Sequence, residues 1–111
     1  MMTLPTIKAD LFRALAHPLR IRLLELLSQG ERNVQTLQQE LPAEQPVVSQ
    51  HLAALRAQEL VATRRLGTQT FYRLRDPKVA DLLRVARELL SSRLTASRSM
   101  LRELDRERRR V

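Results

Sequence analysis

The spacing of the apolar residues changes twice along this chain, and those changes bound what it can fold into. Ile7, Leu11 and Leu15 recur every fourth residue with Phe12 beside them, the stripe of a short amphipathic helix ending near His17-Pro18. Pro18 suits the first turn of a second helix, with Leu19, Leu23, Leu26 and Leu27 as its apolar stripe and Arg20, Arg22 and Glu25 outside. Gly30 stops it. Asn33 can cap a third helix through Val34, Leu37 and Leu41. Pro42 closes that one, and a fourth runs from about Gln45 to Gln58 on Val48, Leu52 and Leu55. The period then drops to two. Leu60 to Leu66 and Thr70 to Leu74 have the pattern of strands, and Gly67-Thr68-Gln69 joins them as a hairpin turn. Helical spacing returns at Asp76, an N-cap, and Pro77, the first helical position. The last helix carries Val79, Leu82, Leu83, Ala86, Leu89, Leu90, Leu94, Met100, Leu101 and Leu104 to about Arg106, beyond which the charge run is expected to fray.

The expected architecture is therefore mainly α with a two-stranded β-hairpin, in the order α-α-α-α-β-β-α. At 111 residues it fits one domain, 1–111, with one core. Only Phe12, Phe71 and Tyr72 are aromatic, so aliphatic residues must fill that core. The absence of cysteine excludes disulfides and thiolate metal sites. No apolar run approaches the ~18 residues of a membrane span, and the stretch from Met1 to Asp10 lacks the pattern of a signal peptide. A cytoplasmic protein is expected. Its formal net charge of +8 suits a polyanionic partner, and nucleic acid is the commonest. The basic residues are almost all arginine, which forks onto phosphate and guanine; genome base composition can also enrich arginine.

The segment 33–57 carries the chemistry. Two short helices joined by a tight turn, the second studded with small polar side chains, make a helix-turn-helix whose second helix lies in the major groove. Its N-terminal residues here are Gln45, Pro46, Val47, Ser49, Gln50 and His51, followed by Arg56. Glutamine can bond adenine bidentately, serine can meet bases or phosphate, and Val47 can meet a thymine methyl. Arg56 suits phosphate. The same residues could instead form an ordinary solvated helix face. The segment 60–75 weighs against that: Arg64, Arg65, Gly67, Thr68 and Gln69 sit at or beside the hairpin tip, with Arg73 and Arg75 behind. A basic tip is what a wing needs to reach phosphate, although arginines also blunt an exposed strand edge.

These segments resemble a known family. Ala14-Leu15-Ala16-His17-Pro18-Leu19-Arg20-Ile21-Arg22-Leu23-Leu24, then Val48-Ser49-Gln50-His51-Leu52-Ala53-Ala54-Leu55-Arg56, then Leu60-Val61, Gly67 and Tyr72-Arg73-Leu74 are similar to the ArsR/SmtB repressors. The resemblance implies a winged helix-turn-helix homodimer that leaves a palindromic operator when an effector binds. It places the first and last helices, 6–17 and 77–106, at the dimer interface, through Ile7, Leu11, Leu15, Leu82, Leu83, Ala86, Leu89 and Leu90. The family's thiolate site needs a Cys-x-Cys pair where this chain has Asn33 and Gln35. Its interfacial zinc site needs histidines where Lys78, Leu89 and Ser92 stand, which leaves Asp76 as a cap. Of the two histidines, His51 falls in the recognition helix. His17 is the one candidate ligand, able with Asp10, Glu25 or Glu88 to hold Ni²⁺ or Zn²⁺ weakly.

An enzyme is not expected, because no nucleophile, acid–base pair or glycine-rich loop comes together. The rival reading is a helical protein–protein adaptor or co-regulator that controls transcription with a partner protein. The basic hairpin and the net charge favour double-stranded DNA.

Overall fold

The computed structural model describes residues 2–110, so Met1 and Val111 of the expected 1–111 domain lie outside the described residues. The elements are α1 (Leu4–Leu15), α2 (Pro18–Leu27), β1 (Arg32–Asn33), α3 (Val34–Gln39), α4 (Gln45–Ala57), β2 (Val61–Leu66), β3 (Gln69–Leu74) and α5 (Lys78–Arg110). Among the described residues no helix is long and apolar enough to cross a membrane.

Local chemistry sets most of the boundaries. The Thr3 hydroxyl accepts the Thr6 amide at 3.3 Å and Pro5 sits in the first turn, so α1 starts slightly earlier than its apolar stripe suggests. His17 caps α2 through Nδ1, which accepts the Leu19 amide at 3.1 Å, and Pro18 follows as the first helical residue. Asn33 caps α3 as expected, its Oδ1 accepting the Thr36 amide at 2.9 Å. Asp76 likewise accepts the Lys78 amide at 2.9 Å, with Pro77 just ahead of α5. Just past the Gln58 cap of α4, Glu59 has φ at 59°, the left-handed region where glycine is usual. The closing bonds run from the Leu60 amide to the Leu55 carbonyl and from the Glu59 amide to the Arg56 carbonyl, at 3.0 and 2.9 Å.

The sheet has three antiparallel strands in the order β1-β3-β2, one more than the hairpin that alternation alone predicts. Arg32 pairs with Tyr72 and Asn33 with Phe71, while Val61 to Leu66 pair in register with Leu74 to Gln69. The added strand follows from the cap. Asn33 must be extended to cap α3, and its φ and ψ of −85° and 170° lay the chain along β3. Leu66 pairs with Gln69, so the tip is the two residues Gly67 and Thr68, with Gly67 at φ 65°.

By its internal contacts the chain divides into two units, the first reaching Ala80 and the second starting at Asp81. The first unit holds an aliphatic core: Leu23, Leu24, Leu26 and Leu27 of α2, Leu37 of α3, Val48, Leu52 and Leu55 of α4, and Leu60 and Val61 leading into β2. Among the described residues no polar or charged side chain is buried. The second unit is helix throughout its described length, past the expected end near Arg106. Arg84 pairs there with Glu88 at 2.9 Å, and Leu89, Leu90, Leu94, Leu101 and Leu104 are exposed.

Candidate nucleic-acid interface

Helix α4 is two-faced. Val48, Leu52 and Leu55 are completely buried and seat it on α2 and α3, whereas Gln45, Pro46, Val47, Gln50, Ala53 and Arg56 are exposed and Ser49 is half-buried. Pro46 occupies its first turn, where a missing amide costs nothing. Val47, Gln50, Ala53 and Arg56 recur at three-residue steps, one continuous exposed strip along the helix with Gln45, Gln50 and Arg56 as the polar members.

His51 borders this strip and is half-buried. Its Nδ1 accepts a hydrogen bond from Arg20 Nε at 3.1 Å, and its ring lies tilted against that of His17 with centroids 4.1 Å apart. An accepting Nδ1 requires the neutral ring with its proton on Nε2. Burial, and after it the neighbouring His17 and Arg20, push the His51 pKa below the ordinary imidazole value. Arg20, which helical spacing assigns to the outer face of α2, is half-buried instead and also donates to the Ala14 carbonyl at 3.2 Å. It joins the end of α1, the start of α2 and the recognition helix.

The two adjacent wing arginines differ. Arg64 grips Glu31: Nε lies 2.9 Å from both carboxylate oxygens and Nη2 lies 2.7 Å from Oε1. Its guanidinium carbon stands 5.9 Å from the centroid of the Phe71 ring, across the β2–β3 pair. The bond to Glu31, and then its charge, hold the Arg64 proton more tightly still. Arg65 points to the opposite side of the strand and is exposed. Thr68 is exposed at the tip, and Gln69 Oε1 accepts from Asn33 Nδ2 at 3.3 Å. Glu31, Asn33 and Arg20 were not singled out for these roles by sequence, since their partners lie about thirty or more residues away and no periodicity links them.

Of the residues expected at the dimer interface, Ile7, Ala86, Leu89 and Leu90 are exposed, and Leu11, Leu82 and Leu83 are half-buried. Leu15 is buried within the core. His17 spends Nδ1 on its helix cap, and among the described residues no three of His, Cys, Asp or Glu converge as a metal site would require.

A helix-turn-helix with an open second helix, followed by an arginine-bearing hairpin, defines a winged helix-turn-helix DNA-binding regulator. Residues 17–63 match the bacterial regulatory protein, arsR family. Over 99 residues the chain is 40% identical to the uncharacterized HTH-type transcriptional regulator Rv0081 of Mycobacterium tuberculosis, covering 88% of this chain and 87% of that one. The crystal structure of Rv0081 superposes with a TM-score of 0.80, over 86% of this chain and 97% of that one. A probable mercury resistance operon repressor of Streptomyces lividans is 39% identical over 94 residues, 85% of this chain and 75% of its own. The solution structure of a homodimeric winged helix-turn-helix DNA-binding domain from Mycobacterium bovis matches at 33% identity and TM-score 0.73, over 79% and 82% of the two chains. The chain belongs to the arsR family and is a DNA-binding transcriptional regulator.

Proposed function

We propose that the protein is a cytoplasmic homodimeric repressor that binds a palindromic operator. In this reading 1–111 acts as one unit, α1 and α5 form the dimer, and each α4 enters one major groove. Gln45, Pro46, Val47, Ser49 and Gln50 meet base edges, Arg56 meets phosphate, and His51 borders the contact. Arg65 and Thr68 carry the wing to the backbone, with Arg64 and Gln69 behind them. The observation that carries the reading is the separation of faces on α4: Val48, Leu52 and Leu55 are wholly consumed by the core, and the face with Gln45, Val47, Gln50 and Arg56 is left open. Repression and dimerisation are supported by the names of the relatives, one an operon repressor and one a homodimeric domain. The exposed leucines of α5 and Ile7 of α1 supply apolar surface of the kind a two-fold interface buries.

The test is operator selection from fragmented genomic DNA, followed by footprinting and a Gln50→Ala variant. Two protected half-sites about one helical turn apart are expected. The substitution should weaken operator binding by about 1–3 kcal/mol and relax preference at one position in each half-site. Unchanged affinity in a normally folded variant would place Gln50 off the DNA.

For the effector, the name of the Streptomyces relative points towards metal control. This chain has no cysteine, so thiolate capture of a soft ion is closed to it. A Ni²⁺ or Zn²⁺ ion anchored on His17 and carboxylates would have to compete with the α2 cap for Nδ1 or use Nε2 alone, which gives weak binding.

A further inference from the structure

The wing is tied to the body by two side-chain bridges that start from one short segment. Glu31 precedes β1 and grips Arg64 of β2, while Asn33 ends β1 and donates to Gln69 at the start of β3. Asn33 also caps α3, so the same residue is fixed to the helix-turn-helix and to the wing. Main-chain pairing of β1 with β3 runs between these bridges. The three together link the wing to the start of α3.

We propose that Glu31 is a positioning residue for DNA binding: it reserves Arg64 as a structural tie and leaves Arg65 as the arginine of the pair that meets phosphate. This rests on the reading of the hairpin as a DNA-contacting wing. Three observations carry it. Both Glu31 oxygens face Arg64, which meets them side-on through Nε and Nη2. Side chains alternate along a strand, so Arg64 lies on the Phe71 face and Arg65 on the other. The Glu31 carboxylate is also the more shielded partner, its side chain 24% exposed against 57% for Arg64. A phosphate drawn to Arg64 would therefore approach that carboxylate and be repelled by it. Among the described residues Arg65 has no such companion, and Glu31 lies on the Arg64 side of the strand.

An exposed ion pair contributes little to global stability, so its loss should show in DNA affinity rather than in melting. The experiment measures operator affinity of the full chain at several salt concentrations, with a labelled operator duplex recovered by selection and a mixed-sequence duplex beside it. Arg65→Ala should reduce the slope of log affinity against log salt by about 0.9 for each lost phosphate contact. Arg64→Ala and Glu31→Gln should each weaken binding by up to about fivefold per wing, the reach of an exposed ion pair, with the slope unchanged. The double variant should be no weaker than either single one, and the charge swap Glu31→Arg with Arg64→Glu should recover most of the loss. Thermal melts of all variants should stay close to that of the parent.

A reduced slope in Arg64→Ala would show that Arg64 itself meets phosphate and would overturn the proposal. So would a Glu31→Gln variant that binds more tightly, because Glu31 would then act as a brake on Arg64 instead of a tie. A swap that recovers nothing would equally refute the pairing. An Arg65→Ala slope equal to the parent's, with the Glu31 and Arg64 variants behaving as expected, would refute the wing as a phosphate contact and leave the tie standing.

Discussion

Acidification should loosen this protein through one imidazole. His51 is held neutral: its Nδ1 accepts from Arg20, its ring lies against His17, and burial lowers its pKa. In the unfolded chain His51 takes a proton near the ordinary value of 6.5, whereas the folded environment resists protonation until lower pH. The unfolded state therefore binds more protons in the window just below that value. Stability is fully present above it and is lost as pH falls through the folded pKa. One proton limits the slope to about 1.4 kcal/mol per pH unit inside the window. The hydrogen bond given up when Nδ1 is protonated is worth about 0.5–1.5 kcal/mol net, a loss that the limiting slope spreads over about one pH unit. Each kcal/mol corresponds to about 4–8 °C in a domain of this class. The assay is thermal unfolding by circular dichroism between about pH 8 and pH 5, on the parent and on His51→Gln, whose amide oxygen can accept from Arg20 without titrating. The difference between the two proteins reports the loss of the His51 imidazole together with its contact to His17. The parent should lose stability on acidification faster than the variant. Parallel curves would refute the argument and make the His51–Arg20 bond energetically silent.

Three further outcomes are expected. Leu52→Ala removes a completely buried side chain beneath the recognition helix and should cost about 2–5 kcal/mol in urea unfolding; a loss under about 1 kcal/mol would mean the core closes over the gap. Glu59→Gly places glycine at the left-handed end of α4 and should stabilise by about 0.5–1 kcal/mol, whereas a destabilised variant would reveal a role for the glutamate side chain. Calorimetric titration with Ni²⁺ and Zn²⁺ should give no binding tighter than micromolar, and any weak binding should be lost in His17→Ala; nanomolar binding or indifference to that substitution would put a metal elsewhere.

What the sequence made legible was what a few neighbouring residues decide. The stripe Val48, Leu52, Leu55 located α4 because buried positions three and four apart leave only one helix face. Asn33, Asp76 and Gly67 were readable as caps and turn because each acts on residues within three places of itself. Strand β1 escaped, since two residues carry no period. Arg20 was placed outside because a helical stripe gives only a direction; the Ala14 carbonyl and His51 then close over that side. Leu15 continued the stripe of Ile7 and Leu11, yet it lies a turn nearer α2 and is buried there. Arg64 and Arg65 were indistinguishable as neighbours in a basic tip. Only the pleat, and a glutamate far back in the chain, set them apart.

The division of α4 into two independent faces has a consequence for how such a regulator can change. Val48, Leu52 and Leu55 answer only to the core, where hydrophobic swaps of similar volume cost little. Gln45, Gln50 and Ala53 answer only to whatever lies outside, and substitutions at exposed positions of this kind usually shift stability by less than about 0.5 kcal/mol. If the open face of α4 reads the operator as proposed, the DNA address can be rewritten one letter at a time while the chassis that carries it stays folded. A duplicate of this gene would reach a new operator through a few surface substitutions, with no unstable intermediate on the way.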